Sequence, residues 1–149
     1  MQKILFVCTG NICRSAMAEQ IARQLGAKRG LDLEFDSAGV SDEEHGNPMD
    51  PRAVRVMGAH GYQAEAHRAK QVTRSMLDDS DLAVGFTGAH VSRMRRINPD
   101  ANIRLMTDFD PAATPGSDIS DPWYGGQEDF EIAINEIEAA VVGMLDEIA

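Results

Sequence analysis

The chain has few cysteines, few basic residues and no long apolar run. Its 149 residues include two cysteines five positions apart, which cannot form the disulfide framework of a small secreted protein. No apolar stretch is long enough for a signal peptide or a membrane span. Lysine and arginine number 14 against 24 aspartates and glutamates, and the net charge of −10 disfavours nucleic acids and anionic membranes as partners. We expect a cytoplasmic protein without such partners, as a monomer or weak dimer.

Apolar residues recur with alternating strand and helix periods along the chain. The pattern predicts strands over 3–7, 33–37, 82–86 and 103–106, and helices over 16–25, 51–59, 89–97 and 129–148. Gly26 is predicted to close the first helix, and long loops are expected at 40–50 and 108–126. Strands that alternate with helices form parallel sheets with right-handed crossovers. We therefore predict an α/β fold: a single three-layer domain over 1–149, with a four-stranded parallel sheet and helices on both faces.

The loop after the first strand carries a cysteine at its mouth and an arginine six positions later. Such a loop, ending at a helix N-terminus, presents amide groups that attract anions. The same field favours thiolate over thiol, so Cys8 is expected to be a nucleophile. Arg14 can hold two phosphate oxygens with its planar fork. The segment predicts phosphoryl transfer to sulfur, with the phosphate bound by Thr9, Gly10, Asn11, Ile12, Cys13, Arg14 and Ser15.

Other interpretations of this loop explain less of it. A buried structural cysteine would not account for glycine, asparagine, arginine and serine in the same turn. A nucleotide-binding P-loop would require Gly-Lys-Ser/Thr, which is absent. The spacing Cys-x4-Cys lacks the second ligand pair of a zinc site, so we expect no metal. Cys13 has two open interpretations, either a small residue that fills the loop floor or a redox partner that traps oxidised Cys8 as a disulfide.

A second candidate segment reads Asp-Pro-Trp-Tyr-Gly-Gly over 121–126. A phosphate ester needs a proton on its leaving oxygen, and Asp121 can supply it from a loop. Trp123 and Tyr124 can form an aromatic wall for a flat leaving group. An Asp-Pro pair alone is a common turn signal, so the segment gains its meaning from the Cys8 loop.

The two segments together resemble the low-molecular-weight protein tyrosine phosphatases. Further matches at 17–19, 36–39, 50–53, 61 and 67–69 extend the resemblance along nearly the whole chain. It implies hydrolysis of phosphotyrosine in proteins through a cysteinyl-phosphate intermediate, without a metal or other cofactor. The implied roles are nucleophile for Cys8, phosphate and transition-state ligand for Arg14, and general acid for Asp121.

The resemblance also implies supporting roles and marks where this chain departs from the family. Asn11 holds the loop in shape, Ser15 donates a hydrogen bond to the Cys8 thiolate, and His67 belongs to a supporting network. Glu43 stands where many members place an aromatic residue of the substrate cleft, which Glu43 would line together with Trp123 and Tyr124. After the third strand, members usually have Met-Asp and a downstream Asn, and this chain has Phe86, Thr87 and His90.

Three other functions are conceivable on this scaffold, and the sequence disfavours each of them. Arsenate reductases need further cysteines for a disulfide relay, and this chain has only Cys8 and Cys13. Protein arginine phosphatases tend to carry a polar residue where this chain has Ile12, and an apolar side chain suits a phenyl edge better than a guanidinium. A catalytically inactive phosphopeptide-binding module is disfavoured by the complete set of Cys8, Arg14 and Asp121.

Overall fold

A sheet of four parallel strands forms the centre of the computed structural model, which describes residues 2–148. The strands are β1 (Gln2–Cys8), β2 (Leu33–Gly39), β3 (Leu82–Gly85) and β4 (Ile103–Leu105), in the spatial order β2–β1–β3–β4. The predicted four-stranded parallel sheet is confirmed. The central strands are apolar and buried over residues 4–8 of β1 and throughout β3, as is typical of parallel strands that are covered on both faces.

Five helices cover the two faces of the sheet. They are α1 (Arg14–Lys28), α2 (Pro51–Ala59), α3 (Arg74–Asp79), α4 (Gly88–Ile97) and α5 (Gln127–Ile148). Ile4 and Phe6 of β1 share a core with α1, α2 and α5, whereas Leu5 and Val7 share a second core with α3 and α4. This alternation along β1 follows from the two-residue period of a strand. Within 2–148, none of the helices is both long and apolar enough to cross a membrane.

The C-terminus of α1 differs from the prediction. Gly26 does not close the helix, but lies inside it, where an added Cβ would be 3.3 Å from the ring of Phe35. The helix ends instead at Lys28, and Gly30, two residues later, has a φ of 69° in the left-handed region that glycine adopts easily. The Leu31 amide then donates to the carbonyl of Gly26 at 3.0 Å and closes the turn.

Three short elements were not predicted. Helix α3 precedes β3 and is capped by Thr73, whose hydroxyl accepts a hydrogen bond from the Met76 amide at 3.2 Å. The predicted fourth strand ends one residue early, and a 3₁₀ turn (Met106–Phe109) follows it. A second 3₁₀ turn (Pro122–Tyr124) lies in the long loop before α5. None of the three has enough residues to produce a periodic signal.

The carboxyl ends of β1 and β2 meet at one edge of the sheet. Cys8, the last residue of β1, pairs in register with Gly39, the last residue of β2. An added Cβ at Gly39 would be 2.6 Å from the carbonyl oxygen of Thr9. Glycine at this position therefore allows the loop that follows β1 to lie directly on the end of β2. The chain leaves β1 toward β2 on one side and later returns to β3 on the other. Ligands of open parallel sheets bind at such a switch point.

Candidate active site

Cys8 is held at the mouth of the loop over 9–13 that joins β1 to α1. Its side chain is buried, and its Sγ lies 2.9 Å from the hydroxyl oxygen of Ser15. The amide nitrogen Nδ2 of Asn11 donates to that same hydroxyl oxygen at 2.9 Å. Because the Ser15 oxygen already accepts this bond, its proton is available to the sulfur of Cys8. The predicted contact between Ser15 and Cys8 is therefore present in the geometry.

Asn11 fixes the backbone shape of the loop. Its φ of 60° makes it the one non-glycine residue of 2–148 with a positive φ, a conformation that asparagine tolerates better than most residues. The Lys70 amide donates to Asn11 Oδ1 at 3.1 Å, and the Nε2 of His67 donates to the Asn11 carbonyl at 2.6 Å. The loop is thus tied to the segment around 67–70, where His67 was expected to act in a supporting network.

The network behind Asn11 reaches an ion pair between Glu19 and the exposed Arg23. Nδ2 of Asn11 also donates to the hydroxyl of Ser37 at 2.9 Å, and Ser37 donates to Oε1 of Glu19 at 2.5 Å. Glu19 in turn forms an ion pair with Arg23 one helical turn away. The Cys8 sulfur therefore lies at one end of a chain of hydrogen bonds whose members hold one another in a single orientation.

The amides of the loop are free to bind an external acceptor. No main-chain amide of residues 10–13 donates to another backbone carbonyl of the described chain. Cys13, the N-cap of α1, makes no side-chain capping bond, so the first amides of the helix are also free. Together with the positive end of the helix dipole, these groups suit an anion of phosphate size.

Both terminal nitrogens of the Arg14 guanidinium have partners, whereas its Nε has none within 2–148. Its side chain is buried, and its NH1 donates to the carbonyl of Ile119 at 2.9 Å. Ile119 is itself fully buried, and its amide donates to the carbonyl of Phe86 at 2.8 Å. The Nε of Arg14 has no partner in the described chain. A buried donor without an acceptor is costly, and an oxyanion in the pocket would remove that cost.

Asp121 lies across the pocket on the loop before α5. Its Oδ2 is 3.4 Å from NH2 of Arg14, and its Oδ1 accepts the amide of Trp123 at 3.0 Å. The second contact caps the 3₁₀ turn and fixes the rotation of the carboxyl group. The side chain stays partly exposed, so it can exchange protons with water. The fold thus brings Cys8, Arg14 and Asp121 together from distant parts of the sequence.

These groups line an open pocket of about 520 Å³. Trp123 and Tyr124 form one wall, with ring centroids 5.0 Å apart and planes at 87°. Arg52 on α2 braces this wall, since it donates to the carbonyls of Gly125 at 2.8 Å and Trp123 at 3.3 Å. The full lining comprises Cys8, Thr9, Gly10, Ile12, Cys13, Arg14, Ser41, Glu43, Glu44, Asp121, Trp123 and Tyr124.

Cys13 is buried beneath the same loop. Burial, followed by the negative charge of Asp50, raises the pKa of the Cys13 thiol far above its ordinary value. The thiol therefore stays protonated at neutral pH and is a weak nucleophile beside Cys8. Both cysteines are free in the structure.

His90 is linked to Arg14 through the hydroxyl group of Thr9. The amides of Phe86 and Thr87 both donate to Nδ1 of His90 at 3.2 Å, which places the ring proton on Nε2. Nε2 then donates to the hydroxyl oxygen of Thr9 at 3.0 Å, and NH2 of Arg14 donates to the same oxygen at 3.3 Å. Burial, and then the charge of Arg14, lower the pKa of His90 to about 4. A neutral imidazole thus occupies the site where the family resemblance leads one to expect asparagine.

The lowered pKa of His90 leads us to expect that the folded protein becomes less stable in mild acid. Its pKa is 6.5 when unfolded and about 4 when folded, so between these values the unfolded chain binds more protons and stability falls as pH falls. Relative to His90→Gln, the wild type should lose about 2 kcal/mol of unfolding free energy between pH 7 and pH 4.5. Urea unfolding of both proteins at the two pH values measures this difference. Parallel changes in both would show that His90 does not titrate in this range.

Several contacts of the site were not foreseen from the sequence. Ser37 and Glu19 lie in segments that match the family, but their link to Asn11 depends on β2 and α1 being packed together. Arg14 donates to the main-chain carbonyl of Ile119. Because every residue has such a carbonyl, the residue type at 119 could not indicate this bond. An apolar residue in the polar loop over 110–121 was the one available sign that this point is buried.

No group of three or more His, Cys, Asp or Glu side chains within 2–148 is arranged to hold a metal ion.

Comparison with known proteins gives a consistent result. The family model described as low molecular weight phosphotyrosine protein phosphatase matches residues 3–149. A low molecular weight protein-tyrosine-phosphatase of Streptomyces coelicolor is 40% identical over 150 residues, covering 96% of this chain and 91% of that protein. The chain belongs to the low molecular weight phosphotyrosine protein phosphatase family.

Solved structures share the whole fold. A protein tyrosine phosphatase of Entamoeba histolytica superposes with a TM-score of 0.93 at 27% identity, covering 99% of this chain and 97% of that one. The YwlE arginine phosphatase of Bacillus subtilis superposes with a TM-score of 0.87 at 23% identity, covering 99% and 95%. At that identity the second likeness concerns the fold alone.

Proposed function

We propose that this protein hydrolyses phosphotyrosine in other proteins, as a cysteine-dependent phosphomonoesterase that needs no metal. Family membership supports the reaction class. The observation that carries the proposal is Arg14, which lines the same pocket as Cys8 and the loop residues and whose buried Nε has no partner within 2–148. The two free cysteines suit a reducing cytoplasm.

In the first step the Cys8 thiolate attacks phosphorus in line with the leaving tyrosine oxygen. The sulfur–phosphorus bond forms as the phosphorus–oxygen bond breaks. Asp121, protonated at the start, gives its proton to the phenol oxygen, so a neutral tyrosine leaves. The loop amides and Arg14 bind the equatorial oxygens, where the transition-state charge lies.

In the second step a water molecule attacks the phosphorus of the cysteinyl phosphate. Asp121, now a carboxylate, takes the proton of that water. The sulfur–phosphorus bond breaks, inorganic phosphate leaves, and both Cys8 and Asp121 return to their starting states. Ser15 stabilises Cys8 as the leaving thiolate because its hydroxyl lies 2.9 Å from the sulfur.

The pocket walls favour an aromatic leaving group. Trp123 and Tyr124 present ring surface on one side, and the apolar Ile12 lines the pocket beside the phosphate loop. Glu43 and Glu44 line the same pocket, and they would repel an anionic ring substituent. A phenyl phosphate fills such a cleft, whereas the short side chain of phosphoserine would not reach its walls.

Phosphoarginine is the second candidate substrate. Glu43 and Glu44 in the pocket could attract its guanidinium, which is the observation in its favour. Ile12 argues against it, since an apolar side chain offers no acceptor for a guanidinium proton. A module that binds phosphopeptides without cleaving them is the third candidate, and it would have no use for Asp121 beside the phosphate site.

A substrate panel without added metal tests the proposal. Three peptides of the same sequence carry phosphotyrosine, phosphoserine or phosphoarginine, and phosphate release is measured for each. We expect the highest kcat/KM for phosphotyrosine. A higher value for phosphoarginine would move the assignment to that substrate, and binding without release of phosphate would favour the non-catalytic module.

A further inference from the structure

A wide groove adjoins the catalytic pocket on the side of α4. Its volume is about 1000 Å³, nearly twice that of the pocket. The two cavities have a common boundary, formed by Thr9, Arg14, Asp121 and Tyr124. A chain bound with one side chain in the pocket could therefore continue along the groove without leaving the surface.

Two arginines give the groove its charge. Arg93 and Arg96 lie three residues apart on the exposed face of α4, and both line the groove. Neither forms an ion pair or a side-chain hydrogen bond with any residue of 2–148, in a protein whose net charge is −10. The other charges of the lining compensate each other, because Arg14 and Asp121 are 3.4 Å apart. The groove is thus an unneutralised basic site on an acidic protein.

The nearest features of the groove do not remove this charge. His90 is neutral, as its hydrogen bonds require. Asp118 accepts the amide of Gly88 at 2.9 Å at the start of α4, and it forms no ion pair with Arg93 or Arg96. Exposed guanidinium groups with free donors bind carboxylates and phosphates in a bidentate manner.

We propose that this groove is a subsite for acidic residues that flank the phosphotyrosine of a protein substrate. The proposal rests on the proposed function and specifies the class of phosphoprotein that the enzyme prefers. Charge complementarity selects an acidic segment, and continuity with the pocket at Tyr124 selects one in the same chain as the phosphotyrosine. Carboxylates bound in the groove do not touch the reacting phosphorus, so they contribute to binding and leave the chemical step unaltered.

Phosphotyrosine peptides with four different flanks test the subsite. Aspartates lie before the phosphotyrosine, after it, on both sides, or are replaced throughout by asparagine. For the wild type we expect at least one acidic flank to raise kcat/KM roughly three- to tenfold over the asparagine peptide, through KM. The preference should shrink as salt rises. In R93Q/R96Q we expect it to disappear.

Arg95 provides the matched control, because it is an exposed arginine of the same helix that does not line the groove. R95Q should keep the preference for the acidic peptide. The subsite is contradicted if the wild type shows no preference, if R93Q/R96Q keeps it, or if R95Q loses it equally, since the last result indicates a general charge effect. Hydrolysis of the asparagine-flanked phosphotyrosine peptide by the wild type separates these outcomes from failure of the proposed function, which would abolish hydrolysis of every phosphotyrosine peptide.

Discussion

Cys8→Ser should lose turnover of any aryl phosphate by at least about a thousandfold, because a serine hydroxyl at this position lacks the nucleophilic character of a thiolate. The change replaces the sulfur atom by oxygen and leaves Arg14 and the loop amides in place. Binding of inorganic phosphate, measured by calorimetry, should therefore persist and show that the loop is folded. Release of phosphate by Cys8→Ser at a rate near that of the wild type would exclude a cysteinyl-phosphate intermediate.

Cys13→Ser is the matched control for this variant, since it makes the same change five residues along the loop. The buried, protonated thiol of Cys13 has no part in the proposed displacement, so most of the activity should remain. A loss as large as that of Cys8→Ser would mean that the result at Cys8 reports damage to the loop.

Peroxide distinguishes the two interpretations of Cys13. It oxidises the Cys8 thiolate to a sulfenic acid. The Cys13 thiol can then attack the Cys8 sulfur, so that a disulfide forms as the sulfur–oxygen bond breaks and water leaves. If Cys13 protects the site in this way, thiol reductants should restore the wild type more fully than Cys13→Ser. Equal recovery of the two proteins would assign Cys13 a packing role only.

Asp121→Asn should slow the hydrolysis of phenyl phosphate by roughly 10²- to 10⁴-fold while it affects p-nitrophenyl phosphate much less. Phenol is a poor leaving group that needs the proton, whereas p-nitrophenolate leaves readily without one. Asparagine keeps the Oδ1 acceptor for the Trp123 amide, so the 3₁₀ turn should be preserved. Single-turnover rates with the two substrates isolate the first step.

A uniform loss would change the interpretation of Asp121. If both substrates slow by the same factor, the carboxylate acts through its contact with Arg14, and the acid is another group. Trp123→Ala, which alters the aromatic wall but keeps the carboxylate of Asp121, should be measured with the same two substrates. The comparison separates the effect of losing the proton donor from the effect of altering the cleft.

The long periodic elements were predictable and the short ones were not. Helix α2 was predicted with its observed ends, because Pro51 fits its first turn and Asp50 caps it. The end of α1 was misplaced because two glycines lie near it, and only packing against Phe35 decides that Gly26 is inside. Helix α3 was missed because six residues with one buried leucine give no helical period.

The candidate site divides in the same way. Cys8, Arg14 and Asp121 could be predicted from the sequence, because their side chains carry the thiol, guanidinium and carboxyl groups that the reaction uses. The environment of His90 could not be predicted, since its neutral state follows from two backbone amides that point at one ring nitrogen. The basic groove could not be predicted either, because Arg93, Arg95 and Arg96 look alike in sequence and only the rotation of α4 separates them.

The anchoring of Arg14 through Ile119 has a consequence for how this protein tolerates change. The guanidinium is held by a carbonyl, a group that every amino acid supplies, so the identity of the side chain at 119 is irrelevant to the bond itself. What matters is that a side chain of similar volume fills the space under the loop and keeps that carbonyl in position. Sequence drift at this position is therefore constrained by size and by the need for an N–H to reach Phe86, and hardly at all by chemistry.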